Sequence, residues 1–164
     1  MNSLERDRPF RLLFVCTGNT CRSPMAEVIA RQRFADLGWS VEVGSAGVAA
    51  FHGSPASAGA VRAASAHGLD LSGHQATVLT REGTAAADLV LTMSASHLHR
   101  VEDLGGGERG AMITTFAGAS EKGQGARGVP DPVGGTDEEY QETFDFLSDL
   151  IDGVLERLRP MIQP

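Results

Sequence analysis

Residues 10–24 read FRLLFVCTGNTCRSP, and this stretch decides how the chain folds. Phe10 to Val15 is a run of bulky apolar residues of the buried-strand type. A short polar loop follows, and Ser23-Pro24 then opens a helix. Ser23 is a good N-cap, and Pro24 suits the first helical position, where no N–H bond is lost. The stretch therefore predicts a strand that passes through a tight loop straight into a helix. Backbone N–H groups in such a loop converge on one point and form an anion nest. Gly18 takes positive φ without a Cβ penalty, and Asn19 tolerates the left-handed region better than most residues. Arg22, six residues after Cys16, offers a planar fork of donors for two phosphate oxygens. Thr17, Thr20 and Cys21 complete the loop. Its field favours the thiolate form of a cysteine, and a thiolate beside a bound dianion is a nucleophile aimed at phosphorus.

Working outward, Met25, Val28, Ile29 and Phe34 recur at helical spacing, and Gly38 stops that helix near Leu37. VEVGSAG from Val41 predicts a second strand. Residues 55–67 predict a helix between Pro55 and Gly68. ADLVLTM from Ala87 is a third strand, followed by a short helix from Ser94 to Leu104; AMITTF from Ala111 is a fourth strand. Gly and Pro crowd residues 117–135, a loop of functional length. Gly105–Gly107 and the Gly-rich 118–128 stretch read as mobile. Tyr140, Phe144, Leu147, Ile151, Val154 and Leu158 alternate four and three residues apart, the core face of a final helix. Asp137, Glu138 and Glu139 favour its start through the dipole, and Pro160 is expected to limit its end. Alternating strand and helix predicts a single three-layer α/β domain, Rossmann-like, with a parallel sheet and helices on both faces. The domain is expected over residues 10–160, after a flexible segment at 1–9. Ligands of such sheets sit beyond the carboxyl ends of the strands, where the 16–23 loop, Ser45 and the long loop can meet.

At 164 residues the chain is long enough for a substantial core. No run of about 18 apolar residues is present, and MNSLERDRPF lacks a signal-peptide core, so a cytoplasmic protein with no membrane partner is expected. A net charge of −7 argues against a general nucleic-acid binder. Two cysteines, Cys16 and Cys21, are too few for a disulfide scaffold or a thiolate metal site. His97 and His99 stand two apart on a helix, cannot chelate together and read as solvated.

A second constellation is Asp131-Pro132. Proline restricts the residue before it, which gives the Asp131 side chain a defined direction for a loop. Facing the nest, Asp131 can protonate a leaving group and then deprotonate a water. Gly134 and Gly135 let the loop bend over a substrate.

Cys16–Pro24 together with Asp131-Pro132 resembles the low-molecular-weight protein phosphatase family. The likeness extends through SAG at Ser45, HGL at His67 and ADLVLTM at Ala87. The resemblance implies a four-stranded parallel sheet of the phosphotyrosine protein phosphatase I type and a two-step reaction through a phosphocysteine, without metal or other cofactor. It makes Cys16 the nucleophile, Arg22 the phosphate clamp and Asp131 the acid and then the base. Ser23 would hydrogen-bond the thiolate, and Asn19, Ser45 and His74 would hold the loop in shape. For Cys21 it suggests a reversible disulfide with Cys16; the residue chemistry equally suits a small buried apolar side chain. The implied partners are a phosphorylated protein and inorganic phosphate or a similar oxyanion, bound by a monomer.

The substrate side chain is the finer question. Arsenate reductases with related loops carry further downstream cysteines, and here none follows Cys21. Tyrosine phosphatases of the family resemble chains with an aliphatic residue at position 20 and aromatics after the Asp-Pro pair. Thr20 and the DPVGG loop are closer to bacterial protein-arginine phosphatases. A phosphoguanidinium presents several donors that Asp131 can accept, Thr20 supplies a compact polar wall and Phe51 the remaining apolar wall, while Val133 departs from the aromatic residue often found at that place in both kinds of relative. Phosphoarginine is the expected substrate, with phosphotyrosine as the alternative. A silent phosphate-binding module on the same fold is the reading from another class.

Overall fold

The sheet is built around Phe10–Cys16 (β1), whose side chains alternate between two cores. In a computed structural model covering residues 8–118 and 127–162, Phe10, Leu12, Phe14 and Cys16 face one core and Leu13 and Val15 the other. Most of the expected N-terminal segment, and the centre of the Gly-rich 118–128 stretch, lie outside the described residues. Val41–Gly47 (β2) pairs with β1 in parallel register, Cys16 opposite Gly47. Leu89–Thr92 (β3) pairs with the other edge of β1, and Gly110–Met112 (β4) completes the order β2-β1-β3-β4, all parallel. The chain leaves β1 toward one side for β2 and returns on the other for β3. The carboxyl ends of β1 and β3 therefore flank the switch point where ligands of open parallel sheets bind.

Helices Arg22–Leu37 (α1), Ala58–Ser65 (α2) and Asp137–Ile162 (α6) cover one face and share the larger core with Phe14, Phe34 and Phe144. Arg81–Ala86 (α3) and Ala95–Asp103 (α4) lie toward the other face, where Leu79, Ala87 and Val101 meet Val15 and Val90. The α6 stripe of Tyr140, Phe144, Leu147, Ile151, Val154 and Leu158 is buried as its spacing predicts. Each such large side chain contributes about 1.5–3 kcal/mol on burial, so this one face anchors the whole helical layer.

Several boundaries differ from expectation. The helix after the loop begins at Arg22, with Cys21 at the cap position and no side-chain cap bond. Ser23 is not the N-cap, because its hydroxyl turns inward to the loop; Pro24 falls in the first turn, where its missing N–H still leaves no helical bond unmade. The second helix starts at Ala58, not Pro55, because Ser57 accepts from the Ala60 N–H and caps it. The helix Arg81–Ala86, absent from the sequence reading, is capped by Thr80 through the Gly83 N–H.

The fourth strand stops at Met112, and Ile113–Phe116 (α5) forms one helical turn. That turn buries Ile113 and Phe116 on one face and lets the Thr114 hydroxyl reach the Arg127 carbonyl, so tertiary packing overrides a β-branched sequence. Pro160 does not end α6, which runs on to Ile162; one lost helical bond in the final turn is a small penalty beside the buried stripe. The Gly105 and Gly106 N–H groups are tied to the Glu102 and Val101 carbonyls.

Candidate active site

The loop between β1 and α1 is shaped by Asn19. It sits at φ 56°, the one non-glycine residue with positive φ among the described residues, and it is fully buried. Such a conformation costs on the order of 1 kcal/mol and persists only where the surroundings fix it. Here every polar group of the side chain is used. Asn19 Nδ2 donates to Ser23 Oγ at 2.8 Å and to Ser45 Oγ at 2.9 Å, and Asn19 Oδ1 accepts from the Thr77 N–H at 2.9 Å. His74 Nε2 donates to the Asn19 carbonyl at 2.7 Å, which fixes the tautomer of that ring. Gly47 of β2 lies against the loop so closely that a Cβ would stand 2.5 Å from the Thr17 carbonyl oxygen. A side chain there would push the nest open.

Inside this frame Cys16 is buried at the strand end with Sγ 2.8 Å from Ser23 Oγ. Arg22 is buried as well. Its Nη1 donates to the Val129 carbonyl at 3.0 Å, and its Nη2 reaches Thr17 Oγ1 at 3.5 Å and Asp131 Oδ2 at 3.6 Å. Asp131 is half exposed, and its other oxygen accepts from the Val133 N–H at 3.1 Å, a short turn that steadies the carboxylate. Two pairs are thus set on the loop and its partner segment: Cys16 with Ser23 at the strand end, and Arg22 with Asp131 from the long loop. A cleft of about 300 Å³ adjoins Asp131 between Pro130, Pro132, Phe146 and the carboxylates of Glu139 and Glu142. Phe51 and Val133 are the two most exposed large apolar side chains among the described residues, at 83% and 65%.

Cys21 is a free thiol packed in the core, with Sγ 3.2 Å from Ser57 Oγ and 3.5 Å from the Tyr140 hydroxyl. Burial, and then the bond with Cys21, push the Tyr140 hydroxyl above its usual range, so it remains a donor. Thr20 is half buried, its Oγ1 3.7 Å from Cys21 Sγ.

His97 corrects the sequence reading. It is not solvated but 2% exposed, with Nε2 2.9 Å from Thr17 Oγ1 and Nδ1 2.9 Å from Ser94 Oγ. His99 is exposed. Burial, and then the nearby Arg22 guanidinium, lower the His97 pKa to about 4, against a smaller opposing pull from Asp131. A histidine with a folded pKa below its unfolded value stabilises the fold above pH 6.5, and that contribution is lost as pH falls toward 4. Relative to a non-titrating His97→Gln variant, the wild type is expected to lose about 3 kcal/mol of stability across that window. Urea unfolding at pH 7, 5.5 and 4 measures it, and a constant difference between the two proteins would contradict the assignment. Sequence reasoning also missed Thr77, the Val129 carbonyl and Gly47. For His97 the available signal was position: it opens the helix after β3, and β3 borders β1 at the switch point.

Among the described residues no group of three or more His, Cys, Asp or Glu side chains is placed to hold a metal ion, and no helix is long and apolar enough to cross a membrane. A buried thiol and a buried arginine in one loop, which opens a helix at the switch point of a parallel sheet, place this chain among α/β proteins whose loop geometry suits an oxyanion. The family model of the low molecular weight phosphotyrosine protein phosphatases matches residues 11–163. A low molecular weight protein-tyrosine-phosphatase of Streptomyces coelicolor is 34% identical over 94% of this chain and 96% of its own. A protein-arginine-phosphatase of Bacillus subtilis is 37% identical over 90% and 96%. The solved structure of the YwlE arginine phosphatase, a Cys-to-Ser mutant with a phosphorylated active site serine, superposes with a TM-score of 0.85. It is 33% identical and covers 92% of this chain and 96% of that one. The chain belongs to the low-molecular-weight protein phosphatase family, whose named members act as tyrosine or arginine phosphatases.

Proposed function

We propose that this protein hydrolyses a phosphorylated protein side chain through a phosphocysteine and that phosphoarginine is its preferred substrate. The observation that carries the reaction is that one loop holds Cys16 Sγ beside Ser23 Oγ and the Arg22 guanidinium beside the Asp131 carboxylate. In the first step the Cys16 thiolate attacks phosphorus and the bond to the leaving nitrogen breaks. Asp131, as the acid, gives that nitrogen its proton. In the second step Asp131, now a carboxylate, takes a proton from water, the water oxygen bonds to phosphorus, and the S–P bond breaks to return the thiolate. Arg22 and the loop N–H groups hold the phosphoryl oxygens throughout, and Ser23 donates to the sulfur when it is the leaving group. Asn19, Ser45 and His74 hold the nest open.

Two features support arginine. The Asp131 carboxylate beside the Arg22 guanidinium can accept from the several N–H donors of a phosphoguanidinium; a phenyl phosphate offers none. Thr20 is compact and polar where an aliphatic wall would suit an aromatic ring. The second reading is phosphotyrosine, favoured by exposed Phe51, which offers a ring face for stacking. The wild type is expected to show a kcat/KM at least about tenfold higher on phosphoarginine than on phosphotyrosine proteins, and Thr20→Ile to shrink that ratio. Wild-type activity equal or greater on phosphotyrosine would remove the arginine reading.

A further inference from the structure

The buried imidazole of His97 has no part in the phosphoryl transfer set out above, yet both of its ring nitrogens are bonded. Arg22 is a donor only, so Thr17 Oγ1 must offer it a lone pair. The Thr17 hydroxyl hydrogen is then free to point at His97 Nε2, 2.9 Å away. With its own hydrogen on Nδ1, the ring donates to Ser94 Oγ at 2.9 Å, and Ser94 donates to Ser96 Oγ at 2.9 Å. This direction satisfies every group in the chain Arg22–Thr17–His97–Ser94–Ser96 with a neutral imidazole. An imidazolium would reverse the bond to Thr17 and set a second cation beside Arg22.

The other branch of the guanidinium ends at the same place in the fold. Arg22 Nη1 donates to the Val129 carbonyl, and the Val129 N–H donates to the Met93 carbonyl at 2.7 Å. Both branches of Arg22 thus trace back to residues 93–97, at the junction of β3 and α4. We propose that neutral His97 is a positioning residue for the phosphate clamp: it fixes the Thr17 hydroxyl, which with the Val129 carbonyl sets the plane of the Arg22 guanidinium.

This rests on the phosphatase reading, and its test separates the two. His97→Phe keeps an aromatic volume without the bonds, and Thr17→Val changes only an exposed loop side chain. Each is expected to lower kcat/KM on p-nitrophenyl phosphate about tenfold and to weaken inorganic phosphate binding by calorimetry in like proportion. The double variant should be little worse than either single one, about 20-fold and not 100-fold, because both changes break the same link. His97→Gln, whose amide can reach Thr17, should stay within about threefold of wild type. Multiplicative losses in the double variant would overturn the proposal. So would a His97→Phe variant that loses thermal stability while its phosphate affinity and kinetics stay at wild-type values. If His97→Phe fails to fold, Thr17→Val decides alone: unchanged phosphate affinity overturns the proposal. A wild type without hydrolytic activity would instead sink the phosphatase reading, and the phosphate titrations would still judge the His97 link.

Discussion

Cys16→Ser is expected to reduce turnover on any phosphorylated substrate by about 10⁴- to 10⁶-fold, the scale on which removing a covalent nucleophile acts. The size follows from what the substitution leaves intact. The loop N–H groups, Arg22 and the Asn19 bonds to Ser23 and Ser45 do not involve the sulfur, so phosphate should still bind near wild-type affinity. What is lost is the nucleophile. A serine hydroxyl is a weaker acid and a far poorer nucleophile than a thiol. Any serine that is phosphorylated also becomes trapped, because an alkoxide leaves phosphorus far more reluctantly than a thiolate. Stoichiometric phosphoserine at position 16, seen by intact mass without continued product release, is the expected signature. Turnover above about a hundredth of wild type, with phosphate binding unchanged, would remove Cys16 from the nucleophile's place.

The features legible in the sequence share one property: they are local. The 16–24 loop declares itself because strand, glycine, arginine and Ser-Pro all lie within a few residues, and each has its own backbone reason to be there. The α6 stripe is likewise written in a single periodicity. Topology put Ser45 at the ligand edge and only family likeness brought in His74, since nothing in their neighbourhoods says that both close on Asn19. His97 was misread for a related reason. Its spacing from His99 argued against a metal pair, and that says nothing about burial beneath a loop 80 residues away. Ile113–Phe116 failed in the opposite sense. Its β-branched and aromatic letters favour a strand, while the short β4 and the Thr114–Arg127 bond turn the chain into a helix. Short elements of this kind are decided by partners distant in sequence, and a single sequence does not display those partners.

Asp131→Asn carries the second large effect, and its dependence on the leaving group makes it diagnostic. Asparagine is nearly the same size and can still accept from the Val133 N–H, so the loop turn survives. It cannot give up a proton to the leaving group, nor take one from water. On a substrate whose leaving group is a poor one, such as phenyl phosphate, the first step then slows by about 10²- to 10⁴-fold. On an activated ester such as p-nitrophenyl phosphate the leaving oxygen needs little help, and the loss in kcat/KM should be much smaller. The second step still lacks its base, so kcat on the activated ester should fall while a phosphoenzyme accumulates in rapid-quench experiments. The substitution also removes the negative charge 3.6 Å from Arg22 Nη2, which leaves the guanidinium freer to bind a dianion. Inorganic phosphate should therefore bind as tightly as in wild type or tighter. Equal losses on both esters would mean that Asp131 acts on binding or loop shape and not as the proton donor. The acid would then have to be sought in the same cleft, where Glu139 and Glu142 are the carboxylates that remain.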